Sequence, residues 1–69
     1  MAKLPVLSGH DLVDILKKLG FVVVRQKGSH VSLQKGGRKT VVPLHNDLAK
    51  GTILGILKQC GLTKADIMK

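Results

Sequence analysis

The sequence predicts an α+β fold of order α-β-β-β-α, a three-stranded antiparallel sheet with two helices packed on one face. Two segments, one near each end, carry apolar residues at helical spacing. Between them lie three short β-prone stretches separated by glycine-containing turns. The chain has 69 residues, a length that allows one small domain and leaves little room for a deep cleft. We therefore expect residues 1–69 to form a single domain.

The segment SGHDLVDILKKLG predicts the first helix. Its large apolar residues recur on one helical face, and they are Leu12, Ile15, Leu16 and Leu19. Ser8 can cap this helix, because its hydroxyl can accept a hydrogen bond from a free N–H of the first turn. Gly20 can end it, since glycine tolerates the left-handed conformation at which helices commonly stop.

Three strands are predicted next, in FVVVRQ, HVSLQ and KTVV, with loops at Lys27-Gly28 and Gly36-Gly37. If residues are paired outward from each two-residue loop, Arg25 lies opposite His30 and Leu33 lies opposite Thr40. Because side chains alternate across a strand, one face collects apolar residues, namely Val22, Val24, Val31, Leu33 and Val42. The opposite face, which the helices leave open to water, collects Arg25, His30, Ser32, Gln34 and Lys39.

The stretch TILGILKQC predicts the second helix. Its apolar positions share one face, and they are Ile53, Ile56, Leu57 and Cys60. Gly61 can stop this helix. Thr63 and Asp66 then stand at capping-box spacing, which favours one further helical turn.

The charge balance points to a polyanionic partner. Twelve Lys and Arg face four acidic residues, for a formal net charge of +8, and clustered cations suit phosphate contacts. A basic surface kept for solubility, or for docking an acidic protein, is the alternative. One aromatic residue in the whole chain argues against RNA modules that stack several bases on aromatic platforms.

Other locations and chemistries have less support. Neither helical segment pairs a Lys/Arg face with a bulky aromatic face, so no membrane partner is expected. The start of the chain lacks a secretory pattern, and we expect a cytoplasmic protein. The single cysteine, Cys60, lies in an apolar pattern where thiols usually pack as small hydrophobes. The four aspartates are scattered, which predicts neither a metal site nor a cofactor.

His30 is the residue with the most chemical interest. An imidazole titrates at about pH 6.5 when unperturbed, so near neutrality it can take or release a proton at low cost. RNA carries its own nucleophile, the 2′-hydroxyl, and its cleavage needs a base, an in-line geometry and cations rather than a metal. From the residues alone, an ordinary surface histidine is the better explanation, because a single exposed histidine on a strand is more often a surface residue than a catalyst.

The chain resembles HicA-type toxins, also described as YcfA-like proteins. The matching stretches, in the family's order and spacing, are GFVVVRQKGSHVSL at 20–33, VVPLHN at 41–46 and KGTILGILKQCGLT at 50–63. The resemblance implies a fold like that of double-stranded-RNA-binding domains and an mRNA-cleaving ribonuclease activity. It also implies that the histidine of Gly-Ser-His, here His30, is catalytic, and that a HicB-type antitoxin covers the active surface.

Candidate RNA contacts surround this histidine in the sequence. Arg25 is the first choice for holding phosphate, followed by Lys27 and Lys39, whereas Arg38 and Lys50 are weaker candidates. Ser29 can offer a hydroxyl or a backbone N–H to phosphate, although a turn also needs a small polar residue there. His45 can act as an acid or a phosphate contact, although a histidine in such a position more often caps a loop. Gly28 reads as a turn residue and His10 as surface.

Three functions follow from these observations. The first is a toxin that cuts mRNA without a metal or cofactor, with His30 as the general base. The second is an RNA-binding module that does not cleave. The third is a protein-interaction domain whose basic surface docks an acidic partner.

Overall fold

The computed structural model describes residues 6–67, and it confirms the α-β-β-β-α order. The elements are α1 (Gly9–Lys18), β1 (Val22–Lys27), β2 (His30–Lys35), β3 (Arg38–Pro43), α2 (Lys50–Cys60) and a short α3 (Lys64–Ile67). The strands form one antiparallel sheet in the order β1-β2-β3, so β2 is central. None of the helices among residues 6–67 is long and apolar enough to cross a membrane.

The first helix begins and ends where the sequence places it, whereas α2 ends at the predicted glycine but begins at Lys50, two residues before the predicted start at Thr52. The Ser8 hydroxyl accepts a hydrogen bond from the Asp11 N–H (3.1 Å), and the Asp11 carboxylate accepts one from the Ser8 N–H (3.3 Å). These reciprocal bonds form a capping box, which satisfies two donors at the start of α1. Gly20 follows α1 with φ +100°, and Gly61 follows α2 with φ +69°, so glycine ends each helix.

The expected final turn is present as α3. The Asp66 carboxylate accepts hydrogen bonds from the Thr63 N–H (2.7 Å) and the Thr63 hydroxyl (3.1 Å). This supplies the acidic half of a capping box. Ile67 at the end of α3 is buried and belongs to the main core cluster.

The hydrophobic core lies between the helices and one face of the sheet. Its most deeply buried side chains come from α1, β2, β3 and α2, and they are Leu12, Leu16, Leu33, Val42 and Ile53. Thr40 is a polar residue within this layer, and its hydroxyl donates a hydrogen bond to the side-chain oxygen of Gln59 (2.8 Å). The predicted helix faces are therefore confirmed, and the other sheet face is left open.

The second hairpin has the predicted register. Gly36 and Gly37 form its loop, and Leu33 pairs with Thr40 as Gln34 does with Lys39. Gly36 has φ +58°, the conformation that a tight two-residue hairpin loop requires of its first residue.

The first hairpin corrects the predicted register. Its loop is Gly28-Ser29 rather than Lys27-Gly28, so Lys27 pairs with His30 and Arg25 pairs with Ser32. A loop at Lys27-Gly28 of the type I′ form would put Lys27 at positive φ, which costs a residue with a side chain about 1–2 kcal/mol. The observed loop needs positive φ only at Gly28, which has φ +59°.

A β-bulge in β1 corrects the predicted apolar face. Val23 pairs with Leu33 and Arg25 with Ser32, so Val24 is an extra residue between them. The expectation that Val22 and Val24 face the core is wrong, because their side chains are 58% and 55% exposed.

The bulge has a physical reason in the spacing of β1. Phe21 is buried against the helices, whereas Arg25 lies on the open face opposite Ser32. These two residues are an even number apart, so regular alternation would place both on the same face. One extra residue lets the chain bury the aromatic ring and still present the guanidinium to water.

Cys60 is a free, buried thiol. Burial raises the pKa of Cys60, and a hydrogen bond with Thr40 and the charge of Arg38 partly offset this. Since the pKa of Cys60 is higher in the folded state, its contribution to stability is complete while the thiol is protonated in both the folded and the unfolded state, and it is lost as the pH rises above 9.0, the ordinary pKa value. We expect the free energy of unfolding to fall more steeply above that pH in the wild type than in Cys60→Ala, as measured by urea titration.

Candidate functional site

A hollow of about 550 Å³ lies on the open face of the sheet beside the first turn. We call it the hairpin hollow, and its lining residues are Arg25, Lys27, Gly28, Ser29, His30 and Ser32. It contains four of the six residues that the sequence proposes as a site, and it brings the candidate base next to two cations.

His30 projects from the first position of β2 onto the open face. Val31 and Leu33 of the same strand are buried and point to the core. They are an odd number of residues from His30, and side chains alternate across a strand, so the imidazole ring points away from the core. His30 itself is exposed. The cross-strand partners of His30 are Lys27 and Pro43, which places a lysine, and not Arg25, directly opposite it.

Arg25 nevertheless belongs to the same hollow. It pairs with Ser32, which is two residues along β2 from His30 and on the same face. Both Arg25 and Ser32 line the hairpin hollow with the histidine. The register correction therefore moves the arginine by two residues along β2, and an even shift keeps it on the same face of the sheet.

The turn at Gly28-Ser29 is tied to the rest of the fold. The Ser29 carbonyl accepts a hydrogen bond from the Leu44 N–H (2.7 Å), and the next residue, His30, pairs with Pro43. The end of β3 thus holds the backbone on which the site is built. Gly28 has open space around the position of a β-carbon, so its positive φ is the reason for glycine there.

A second, smaller hollow of about 250 Å³ continues the first along the sheet. We call it the strand hollow, and its walls include Val24, Arg25, Ser32, Gln34, Lys39 and Val41. Arg25 and Ser32 line both hollows. Lys39 therefore lies on the predicted face, but beside the smaller hollow and not beside His30.

The remaining candidates lie elsewhere. His45 is exposed in the loop after β3 and lines neither hollow, while its carbonyl accepts a hydrogen bond from the Gly9 N–H (2.9 Å). Lys50 begins α2, and Arg38 lies against Gly61 at the far end of that helix. His10 is exposed on α1, as expected.

The sheet is uniformly basic. Residues 22–43 contain five cationic side chains and no Asp or Glu, and these are Arg25, Lys27, Lys35, Arg38 and Lys39. Lys35 is occupied at the end of α1, where its ammonium donates to the Leu19 carbonyl (2.8 Å). The cations left on the open face are Arg25, Lys27 and Lys39, and no carboxylate from the strands offsets them there.

The donor set of the hairpin hollow suits an anionic ligand. It offers a guanidinium, an ammonium, two serine side chains and an imidazole, which together can bind a phosphate and exchange a proton with a group beside it. Within residues 6–67, no group of three or more His, Cys, Asp or Glu side chains comes together as metal ligands would.

Four residues of this surface are missing from the site predicted from the sequence, and one of them is Gln34, which lies on the predicted open face and lines the strand hollow. The sequence predicts Ser32 on the open face but not in the site, and Ser32 lines both hollows. Val24 and Val41 are exposed walls of the strand hollow, although Val24 was expected in the core. The correct hairpin register would have revealed Ser32, whereas no local signal marks the bulge.

The fold and site define a small basic α+β domain whose open sheet face presents a histidine among cations. Comparison with known families agrees with this class: residues 9–62 match the family described as the HicA toxin of bacterial toxin-antitoxin systems. The match spans most of the 69-residue chain, and the chain belongs to this family. It is thus a toxin of a toxin-antitoxin system. A comparison with curated proteins gave no match.

Proposed function

We propose that this toxin is an endoribonuclease that cuts mRNA, with His30 as the general base. The observation that carries the proposal is the hairpin hollow itself. It places an exposed imidazole beside Arg25 and Lys27, on a sheet without acidic residues. A polyanion is attracted to such a surface, and the base stands where the phosphate is held.

The chemistry needs few groups. The imidazole of His30 takes the proton of a ribose 2′-hydroxyl, and that oxygen attacks the adjacent phosphorus. The bond from phosphorus to the 5′-oxygen breaks, and this oxygen takes a proton from the imidazolium or from water. Arg25 and Lys27 stabilise the added negative charge on the phosphoryl oxygens. The products are a 2′,3′-cyclic phosphate and a 5′-hydroxyl.

The remaining contacts follow from position. Ser29 lies in the turn of the hairpin hollow and binds phosphate through its hydroxyl or N–H. Lys39 holds the backbone of the same RNA farther along the sheet. His45 is a weaker candidate for contact, because it lines neither hollow.

The partners in this proposal are mRNA and a HicB-type antitoxin. A toxin of a toxin-antitoxin system has a cognate antitoxin, and the family match supports that general statement. An antitoxin that covers the hairpin hollow would shut off cleavage, because the base and the phosphate-binding cations are exposed at the same place. The proposed location is the cytoplasm, where mRNA is translated.

Incubation of the purified protein with mRNA in excess EDTA tests the proposal. We expect cleavage to persist, with 5′-hydroxyl ends and cyclic phosphates, since every proposed group belongs to the chain or to the RNA. Fragments with 3′-hydroxyl ends would contradict the mechanism. Intact RNA with salt-sensitive binding would instead indicate a binding module, and antitoxin binding without RNA affinity would indicate a docking domain.

A further inference from the structure

Apart from the phosphate contacts of Arg25 and Lys39, the strand hollow has no role in the function proposed above. Its two valine walls are unusual for a basic surface, because Val24 is 55% exposed and Val41 is 48% exposed. No helix among residues 6–67 covers this face, since the core and both main helices lie on the other side of the sheet. Grouped apolar side chains that stay in water commonly mark a binding surface.

We infer that the strand hollow is a base-binding subsite that takes one unpaired base of the RNA whose phosphate lies in the hairpin hollow. The inference rests on the proposed function for the identity of the polymer. It adds a place where the base next to the cut is held, and hence a source of sequence preference.

Continuity between the two hollows supports this assignment. Arg25 and Ser32 line both of them, so a phosphate beside His30 and a group in the strand hollow belong to neighbouring parts of one ligand. Ser32 is two residues from His30 along β2, which corresponds to about 7 Å. A single nucleotide can span that separation.

The size and chemistry of the strand hollow suit a base. Its volume of about 250 Å³ is below the roughly 300–1,000 Å³ of sites that enclose whole drug-sized ligands. The valine walls can contact the faces of a ring, and the planar guanidinium of Arg25 can stack on it. Ser32 and Gln34 can form hydrogen bonds with the edge of the base, while Lys39 neutralises a flanking phosphate.

Charge favours RNA over a protein in this position. The strands contribute Arg25 and Lys39 to the hollow and no carboxylate. The only aromatic residue of the chain, Phe21, is buried on the helix side, so the open face has no aromatic platform for base stacking. A base bound here must therefore use the arginine and the valines.

The first test maps the two hollows separately by backbone amide NMR of the full chain. Inorganic phosphate should shift signals of the hairpin hollow, among them Lys27, Gly28 and Ser29, and leave those of Val24 and Val41 unchanged. A nucleoside 3′-monophosphate should shift these and, in addition, those of Val24 and Val41. Equal responses to the two ligands at the valines, or none at either, would overturn the subsite.

The second test measures the contribution of each base to affinity. We use the non-cleaving variant His30→Ala and mixed-sequence hexaribonucleotides in which one base at a time is absent. We expect one position at which removal of the base weakens binding about 5-fold, the lower end of the roughly 5- to 150-fold range for a base stacked on an aromatic side chain, because the strand hollow offers an arginine and valines instead. Uniform losses at every position, or none, would contradict the inference.

Val41→Lys in the same background sharpens the result. The added charge should strengthen any purely electrostatic binding of RNA. The longer side chain fills the strand hollow, so removal of the one base should no longer weaken binding. Leu54→Lys is the matched control, because Leu54 is 42% exposed on α2, and it should keep the base dependence. Val41→Lys that retains the base dependence, or that disturbs only antitoxin binding, would overturn the subsite.

These measurements do not require cleavage. A wild-type protein that leaves RNA intact but shows the base dependence would remove the ribonuclease proposal and keep the subsite. Cleavage without any base dependence would do the reverse.

Discussion

His30→Ala is expected to lower the rate of RNA cleavage by about 10²–10⁴-fold, the usual contribution of a general base. The side chain is exposed, and its pairing with Lys27 and Pro43 uses the backbone. Alanine therefore keeps the sheet and the cations of the hairpin hollow. RNA affinity should change little, so the loss should appear in the cleavage step.

Two other histidines provide matched controls for this variant. His10 and His45 are both exposed, and neither lines the hairpin hollow. His10→Ala should retain wild-type cleavage, and we expect His45→Ala to lose much less than His30→Ala. Cleavage is measured by single-turnover kinetics on labelled RNA, and toxicity by growth after induction. Full activity in His30→Ala, with a native NMR spectrum, would remove the assigned role.

The parts of the fold that the sequence predicted correctly depend on short-range signals. The leucines of α1 repeat every three or four residues, and the serine and glycine at its ends have well-defined conformational preferences. The Gly36-Gly37 pair can form only a few kinds of tight loop. Each of these features depends on residues close together in the sequence, so contacts with the rest of the fold have little influence on it.

The first strand could not be predicted in the same way. Val22, Val23 and Val24 are alike, so the run carries no alternation that could show which side chain turns inward. The decision depends on Phe21, which packs under the helices, and on Arg25, which stays in water. The bulge allows Phe21 to be buried while Arg25 stays exposed. This requirement comes from tertiary packing, and no local sequence pattern indicates it.

The sequence predicts on which face of the sheet the candidate site lies, but not which residues are neighbours within it. His30 lies one residue from Val31 on a regular strand, so its outward direction followed from alternation alone. Its neighbours depended on the loop, and the shift to Gly28-Ser29 replaced Arg25 by Lys27 as the opposite residue. The strand hollow was hidden because its wall at Val24 exists only through the bulge.

Gly9→Ala is expected to destabilise the protein by about 1–3 kcal/mol, the range for overpacking a well-filled site. A β-carbon at Gly9 would overlap the Pro43 carbonyl oxygen and lie 2.6 Å from the Leu44 α-carbon. Both obstacles are backbone, so α1 or the end of β3 must shift. The Gly9 N–H also donates to the His45 carbonyl (2.9 Å), which draws the two segments together.

The same shift should reach the hairpin hollow. Pro43 pairs with His30, and the Leu44 N–H donates to the Ser29 carbonyl, so movement of this segment displaces the turn. We expect altered amide signals at Ser29 and His30 in Gly9→Ala. We also expect a lower melting temperature, by about 4–8 °C per kcal/mol for a domain of this size.

Gly55→Ala is the matched control, since Gly55 lies within α2 and has nothing within 4 Å of the position of a β-carbon. There the same substitution should stabilise the protein by about 0.5–1 kcal/mol, because alanine loses less conformational freedom in a helix than glycine does. The free energy of unfolding, measured by urea and thermal unfolding, should fall in Gly9→Ala and rise in Gly55→Ala. That result would show that Gly9→Ala is destabilising because of its contact with the end of β3. A Gly9→Ala protein as stable as the wild type would show that the start of α1 is not held against that strand, and the support proposed for the turn would fall with it.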